Sequence, residues 1–186
     1  MSSLQRPDFG PIDTDRLKMR RYRAGDIELV QALMSDPSVM RYYHELLDRE
    51  QSKKVIANAL AAYEKFGYSV LATERKSDGR YIGHVGLLHW DDVDAREDVE
   101  VAYMLLPEFW GCGYATEAAR ASRDWAFSHL GVDRVVSFIA IESEPSMRVA
   151  ERNGMVRLKR KDENRFGQPM FVYGIARGAW RDHSTA

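Results

Sequence analysis

Apolar and polar positions alternate along this chain with two periods, one of about two residues and one of about 3.6. Alternation at Leu17 and Met19 predicts a half-buried strand, whereas apolar residues three and four apart from Ile27 to Met34 predict an amphipathic helix. The predicted strands cover residues 17–22, 68–74, 81–90, 99–106, 135–141, 155–160 and 170–176. The predicted helices run from Ile27 to the residue before Pro37, from Asp48 or Ser52 to Lys65, from Ala115 to Leu130, and from Pro145 to the residue before Gly154.

This order, β-α-α-β-β-β-α-β-α-β-β, predicts an α/β (α+β) fold in which helices cover one central sheet. We expect a mixed, mostly antiparallel sheet of about six to seven strands, flanked by about four helices. A length of 186 residues suits one domain. We expect that domain over residues 13–177, with a flexible N-terminal arm at 1–12 and a C-terminal tail at 178–186.

Composition and charge are those of an ordinary globular protein. The chain is 45% hydrophobic and 30% charged, and a formal net charge of −1 gives no overall field for nucleic acid or an anionic membrane. The one cysteine, Cys112, excludes an internal disulfide, which fits a reducing compartment. Residues 1–10 hold no apolar segment of a signal peptide, and no apolar run approaches membrane-spanning length. We therefore expect a cytoplasmic protein.

The most informative segment runs from Leu105 to Ala119, where an apolar run passes through a proline and two glycines into an alanine-rich stretch. This order is typical of a strand, a glycine loop and a helix start. Such a loop offers backbone N–H groups to an anion, and the helix N-terminus adds partial positive charge. The segment predicts a phosphate-bearing ligand, although an ordinary turn has the same spacing. No P-loop motif occurs, and Thr116 stands where the motif G-x-G-x-x-G needs its third glycine.

This loop resembles the pyrophosphate loop of the GNAT family of N-acetyltransferases, whose pattern is [Q/R]-x-x-G-x-[G/A]. The matching segment is Trp110-Gly111-Cys112-Gly113-Tyr114-Ala115, with Trp110 in place of Gln or Arg. That replacement is common in the ribosomal-protein alanine acetyltransferase (RimJ/RimL) branch. Three further segments match the branch in the family's order: Thr14 to Leu17 with Arg20, Val99 to Tyr103, and Ser146 to Met155. The resemblance covers roughly residues 12–176.

The resemblance implies that acetyl-coenzyme A is the co-substrate and that its pantetheine arm enters between two central parallel strands that splay apart. It also implies that backbone N–H groups near Met104 to Leu106 contact the pantetheine and the acetyl carbonyl. The cofactor-binding residues that we expect are Met104, Leu105, Leu106, Trp110, Gly111, Cys112, Gly113, Tyr114, Ala115, Thr116, Ser143 and Ser146.

Acetyl transfer to an amine requires a base, because a protonated amine cannot attack a thioester. We interpret Glu100 as this base, since it stands in an otherwise apolar strand and matches the family's strand glutamate. The alternative is a rim residue paired with Arg134 or Lys18. In the family such a glutamate often works through a bridging water, so direct and water-mediated action both remain open.

A general acid for the leaving thiolate is harder to identify. Many relatives carry a tyrosine where this chain has Ala150. Ser146 matches the branch's serine, and we treat it with Glu100 as a candidate catalytic residue that hydrogen-bonds the sulfur. Ser143 replaces the family's asparagine, and it either substitutes for that contact or only caps a helix. Tyr103 is the remaining candidate, although a tyrosine on a sheet is more often core. A thiol with a pKa of about 8.5 leaves as thiolate without much help, so we favour no dedicated side-chain acid.

Other chemistry is disfavoured. Cys112 has no histidine beside it in sequence, which argues against an acyl-cysteine intermediate. His44, His84 and His89 are interpreted as packing or surface residues, with His89 as the alternative base. No Cys/His cluster has the spacing of metal ligands, so we expect no metal.

The sequence therefore predicts an N-acetyltransferase that moves the acetyl group of acetyl-coenzyme A directly to a primary amine, on a protein N-terminus or a small molecule. The alternative is a non-catalytic acyl-coenzyme-A-binding sensor or accessory protein. The acceptor stays open: Tyr42, Tyr43 and His44, between the first two helices, line its pocket or merely pack. The acidic run at 91–98 either attracts a cationic amine or is a solvated loop. The resemblance also suggests a homodimer.

Overall fold

Eight strands form one mixed sheet in the part of the chain that the computed structural model describes, which is residues 7–43, 45–91, 97–162 and 168–184. The strands are β1 (Ile12–Asp13), β2 (Leu17–Arg20), β3 (Val70–Arg75), β4 (Tyr81–Trp90), β5 (Asp98–Leu105), β6 (Arg134–Ala140), β7 (Val156–Lys161) and β8 (Met170–Ala176). The helices are α1 (Ile27–Met34), α2 (Arg49–Phe66), α3 (Tyr114–His129), α4 (Glu144–Arg152) and α5 (Arg177–Ser184), and a 3₁₀ turn covers Pro107–Phe109.

The strand order is β1-β2-β3-β4-β5-β6-β8-β7, and β5 and β6 are the parallel neighbours among the described strands. Their pairing has one register position, Glu100 with Val136, whereas β4 and β5 pair along their whole shared length. Ser137 Oγ donates to the carbonyl of Val101 at 2.6 Å, just where the pairing stops. Beyond this point the two backbones no longer pair, so the sheet opens towards the carboxyl ends of β5 and β6.

Helix α2 shows why its sequence starts and stops a helix where it does. The Asp48 side chain accepts from the Gln51 N–H at 2.8 Å, and Gln51 Oε1 accepts from the Asp48 N–H at 2.7 Å. This capping box satisfies two backbone donors that a helix start leaves unpaired. Of the two predicted starts, the structure therefore uses Asp48, and the helix ends at Gly67.

The core lies between the sheet and the helices. Helices α1 and α2 pack on each other and α1 contacts β4, while α3 packs against β4 and β5. Small residues such as Ala118 and Ala119 are fully buried on α3, which lets this helix approach the sheet closely. Fully buried side chains of the strands and helices include Leu17, Met19, Leu71, Val85, Leu87, Val30, Leu33 and Phe127.

The fold class is confirmed, but the predicted counts of strands and helices are slightly low. Strand β1 has two residues, which is too short for an alternating pattern to reveal. Helix α5 covers most of the predicted tail, where only Trp180 contributes a large apolar side chain. The division of the chain into arm, domain and tail stays a prediction. None of the described helices combines the length and apolar character needed to cross a bilayer.

Candidate active site

The glycine loop lies where β5 leaves the sheet and α3 begins. After the 3₁₀ turn the chain passes through Gly111 at φ 74° and Gly113 at φ 82°, which is the helix N-cap. Side chains are rarely tolerated at such φ values. A Cβ on Gly111 would meet no atom within 4 Å, so the need for glycine there is conformational rather than steric.

Six consecutive backbone N–H groups, those of residues 111–116, have no acceptor in the described part of the protein, and the first helical bond is Glu117 N–H to Gly113 O. The hydroxyl of Thr116 in the same turn is buried and also has no hydrogen-bond partner among the described residues. A buried polar group without a partner is unusual. Together these donors at a helix N-terminus fit the diphosphate of a nucleotide-derived ligand.

Residues of the turn between β1 and β2 hold this loop in place. Arg16 Nη1 donates to the Cys112 carbonyl at 3.0 Å, its Nε donates to Glu117 Oε2 at 2.6 Å, and its guanidinium lies 4.6 Å from the Tyr114 ring centre. The Thr14 hydroxyl also donates to Glu117. Burial opposes the charge on Glu117, but these hydrogen bonds hold its pKa below the ordinary value. Sequence reasoning recognised Thr14 and Arg16 as a strand motif and missed this clamp.

The remaining loop candidates are placed around the same turn. The Trp110 indole is half exposed and donates to the Leu105 carbonyl at 2.7 Å. The Leu106 N–H donates to the Ile82 carbonyl at 2.9 Å, so this member of the expected pantetheine-binding set is already engaged within the protein. Cys112 is exposed, and its thiol donates to the Trp110 carbonyl rather than lying against a described histidine.

Glu100 lies at the one register position where β5 pairs with β6, and it is 7% exposed. Its Oε2 accepts from the Trp90 indole at 2.8 Å, and its Oε1 accepts from the Phe138 N–H of β6 at 3.3 Å. Arg134 forms its ion pair with Asp98 instead, with Nε to Oδ1 at 2.7 Å. The carboxylate therefore bridges the two strands at the apex of the opening rather than pairing with Arg134 on a rim.

The other candidates connect β5 to helix α4. The Tyr103 hydroxyl donates to the Ser146 carbonyl at 2.7 Å, and burial raises the pKa of Tyr103 well above its usual value. Ser143 lies at the N-cap of α4 without a side-chain bond to the backbone, and its hydroxyl donates to Ser146 Oγ at 2.9 Å. Ala150, at the family's tyrosine position, is fully buried. The two serines thus lie together, and Tyr103 holds their helix against β5.

Two of the three histidines considered are engaged elsewhere. His84 is buried, with Nδ1 3.2 Å from the Tyr22 hydroxyl. His89 has both ring nitrogens in hydrogen bonds, Nδ1 with Tyr68 and Nε2 with Asp91, each at 3.0 Å. His89 and Asp91 also form, with Glu97, the one described group whose possible metal-ligand atoms lie within 4.8 Å of one another, and both carboxylates are exposed. His44 lies outside the described residues.

The segment between α1 and α2 reaches the far side of the opening. The Tyr42 hydroxyl donates to the Glu142 carbonyl, between β6 and α4, at 3.1 Å. Tyr43 and Leu46 are 37% and 47% exposed. The segment expected to wall the acceptor pocket therefore contacts the same β6–α4 connection that carries Ser143.

Comparison with known proteins identifies this arrangement. A family model described as an acetyltransferase (GNAT) domain matches residues 16–156. The chain belongs to the GNAT family. A Bacillus subtilis (strain 168) relative, Uncharacterized protein YkkB, is 31% identical over 161 residues, which cover 86% of this chain and 92% of that protein. Escherichia coli (strain K12) spermidine N(1)-acetyltransferase is 25% identical over 169 residues, covering 89% of this chain and 83% of that enzyme.

A solved structure of the ribosomal-protein acetyltransferase RimL in complex with coenzyme A matches with a TM-score of 0.74 and 14% identity. The match covers 89% of this chain and 97% of RimL. At this identity the likeness is one of fold. The family model confirms the predicted resemblance to the GNAT family, and the RimL match shows that this chain shares the fold of a RimJ/RimL protein.

Proposed function

We propose that this GNAT protein transfers the acetyl group of acetyl-coenzyme A directly to a primary amine. The observation that carries the proposal is the run of N–H groups at 111–116 that have no acceptor among the described residues. This run follows the carboxyl end of β5, towards which the sheet opens between β5 and β6. A diphosphate bound to those groups would place the acetyl donor in the cleft between β5 and β6. The buried carboxylate of Glu100 lies at the apex of the same cleft, where it can act as the base.

Acetyl-coenzyme A supplies the activated acyl group, and this chain's residues bind and orient it. The N–H groups of 111–116 and the Thr116 hydroxyl bind the diphosphate, because these donors have no acceptor among the described residues. The opening beyond Val136 receives the pantetheine arm. Arg16 fixes the loop through the Cys112 carbonyl, so the donors are oriented before the ligand arrives.

Glu100 takes the proton from the acceptor ammonium, directly or through one water, and the neutral amine then attacks the thioester carbonyl. The hydrogen bonds from the Trp90 indole and the Phe138 N–H keep the carboxylate oriented. An ionised carboxylate is an acceptor only, so it can take up the proton. Ser146 Oγ accepts from Ser143, which leaves the Ser146 proton to hydrogen-bond the departing sulfur. The tetrahedral adduct loses the second proton of its nitrogen to solvent. The thiolate leaves with the electrons of the C–S bond and takes its proton from solvent.

The names of two similar proteins guide the choice of amines to test first. One relative is named as a spermidine acetyltransferase, and one structural neighbour as a ribosomal-protein acetyltransferase. We therefore choose a panel with polyamines and with short peptides that begin with Ala or Ser. Thiol release is followed for each amine with acetyl-coenzyme A present.

A second candidate function is an acyl-coenzyme-A sensor without turnover. It is supported by Ala150 in place of the family's tyrosine and by Ser143 in place of its asparagine. The two candidates differ in one result. A sensor binds acetyl-coenzyme A in calorimetry but releases no thiol with any amine of the panel.

The role of Glu100 is tested with Glu100→Gln, which keeps the shape of the side chain but cannot accept a proton. We expect kcat to fall about 100-fold or more, because general bases contribute on the order of 10²–10⁴. The KM for acetyl-coenzyme A should change less than about twofold, since Glu100 does not lie on the diphosphate loop. The control is Glu28→Gln, an exposed glutamate of α1 paired with Arg49. Retention of more than about half of the wild-type kcat by Glu100→Gln would exclude Glu100 as the base.

A further inference from the structure

Trp90 is a residue that neither the sequence motifs nor the family comparison singled out. It is the last residue of β4 and pairs in register with Asp98, two positions before Glu100 on β5. Directly paired and alternate residues of adjacent strands share one sheet face. The Trp90 side chain therefore lies on the face that carries Glu100, and its indole reaches Oε2 of that carboxylate at 2.8 Å.

The same indole also contacts the strand across the opening. Its ring lies 5.1 Å from the Phe138 ring at 60°, an edge-on arrangement that favours aromatic pairs. Phe138 is also the residue whose N–H donates to the other oxygen of Glu100, at 3.3 Å. Three residues on three strands therefore contact one another at the apex of the opening: Trp90 on β4, Glu100 on β5 and Phe138 on β6.

An indole N–H has a defined chemical effect on a carboxylate. It is a donor only, so it favours the ionised form of the acid and cannot accept a proton from it. The ring contact with Phe138 holds the indole in one position. The indole N–H therefore also restricts the orientation of the carboxylate that it binds. Removal of the N–H should therefore raise the pH at which Glu100 becomes ionised and loosen its orientation.

We propose that Trp90 is the positioning residue that sets the basicity and orientation of Glu100. The inference rests on the proposed function, because it concerns the base of that reaction. In this arrangement the indole keeps the Glu100 carboxylate ionised and oriented towards the acceptor amine. The protein thereby uses a buried glutamate as a base near neutral pH instead of leaving it protonated in the sheet.

The test is the pH dependence of kcat/KM for Trp90→Phe, measured with one amine for all proteins. Phenylalanine keeps an aromatic ring at this position and removes the N–H donor, although the ring is smaller than the indole. The acid limb of the profile is the low-pH range over which kcat/KM rises as the base becomes ionised. We expect this limb to move to higher pH by about one pH unit, and kcat/KM at neutral pH to fall about threefold to tenfold. The KM for acetyl-coenzyme A should stay unchanged.

The matched control is Trp180→Phe on α5. The Trp180 indole also donates to a carboxylate, Asp124 Oδ1 at 2.7 Å, and its ring also stacks on a phenylalanine, Phe127, with ring centres 5.0 Å apart. This variant should leave the acid limb where it is. A uniform fall in rate for Trp90→Phe at all pH values, without movement of the limb, would show a merely structural role and overturn the proposal.

A second measurement does not depend on the folding of Trp90→Phe. The protein has four tryptophans, so an ¹⁵N spectrum has four indole N–H signals, and that of Trp90 is assigned by elimination with the other three. Its shift should titrate with the acid limb in the wild type and stay constant in Glu100→Gln. A Trp90 signal that ignores pH in both proteins contradicts the inference.

The outcomes separate this inference from the proposed function. If Glu100→Gln keeps the wild-type rate and acid limb, Glu100 is not the base and the proposed mechanism fails. If Glu100→Gln loses the limb but Trp90→Phe does not move it, the proposed mechanism stands and only the role of Trp90 is rejected.

Discussion

At the residue scale, neighbouring strands bury two titratable side chains that have different hydrogen-bond partners. Glu100 has an N–H donor on each oxygen, which stabilises its ionised form. His84 on β4 is buried beside the Tyr22 hydroxyl, and burial lowers the pKa of His84 to about 4. The folded protein therefore carries His84 as a neutral imidazole.

The free energy of unfolding should fall as the pH drops below 6.5, because His84 binds a proton more readily in the unfolded chain. The unfolded chain protonates this histidine at its ordinary pKa of 6.5, whereas the folded protein does so at about 4. Between these values the unfolded state binds more protons, so the stability present above pH 6.5 is lost as the pH falls. From pH 7.5 to pH 5 the loss is about 2 kcal/mol. Urea unfolding at the two pH values measures it.

His84→Gln isolates this effect, because an amide offers Tyr22 a polar partner but does not titrate. The free energy of unfolding of the variant should fall by about 2 kcal/mol less than that of the wild type between pH 7.5 and pH 5. Other groups titrate equally in both proteins and cancel in the comparison. An equal loss in the two proteins would assign the acid sensitivity to groups other than His84.

At the element scale, the start of α3 depends on the left-handed backbone of the glycine loop. Gly113 is the N-cap at φ 82°, and a Cβ there would lie 3.4 Å from the Arg16 guanidinium. Gly113→Ala strains this cap and turns the following N–H groups away from their common direction. We expect the Kd for acetyl-coenzyme A to rise about tenfold in calorimetry, as for the loss of a hydrogen bond to a charged group.

Gly131→Ala is the matched control for this prediction. Gly131 follows the other end of α3 at φ 66°, and a Cβ there meets no atom within 4 Å. It carries the same backbone strain, so its melting temperature should fall by a similar amount, but its Kd should match the wild type. If both variants bind acetyl-coenzyme A equally well, the loop is not where the diphosphate binds.

Local signals explain why most elements could be predicted and why some features of the site could not. The Asp48 capping box and the glycine loop are encoded within a few neighbouring residues, so the sequence alone reveals them. The Arg16–Glu117 clamp joins residues 101 positions apart, and nothing local marks it. The Trp90–Glu100 contact could have been predicted, because the register of the β4–β5 hairpin places both side chains on one face.

At the scale of the whole molecule, helix α3 receives both ends of the described chain. Phe9 is fully buried, with its ring centre 4.7 Å from that of Trp125. On the same helix, Phe127 stacks on Trp180 of α5, and the Trp180 indole donates to Asp124. The helix whose first turn forms the diphosphate loop is therefore held further along by segments from the two termini.

Contacts at the far end of α3 should therefore affect the stability of the protein but not its binding of acetyl-coenzyme A. Trp180→Ala tests this expectation. The substitution removes a partly buried ring and a hydrogen bond, so the free energy of unfolding should fall by about 2–3 kcal/mol in urea titrations. Trp180→Phe keeps the stack and should lose only about 1 kcal/mol. Because Asp124 and Phe127 lie well beyond the first turn of α3, both folded variants should bind acetyl-coenzyme A with the wild-type Kd. A Kd that weakens in step with stability would mean instead that the packing of α5 shapes the loop through the length of α3.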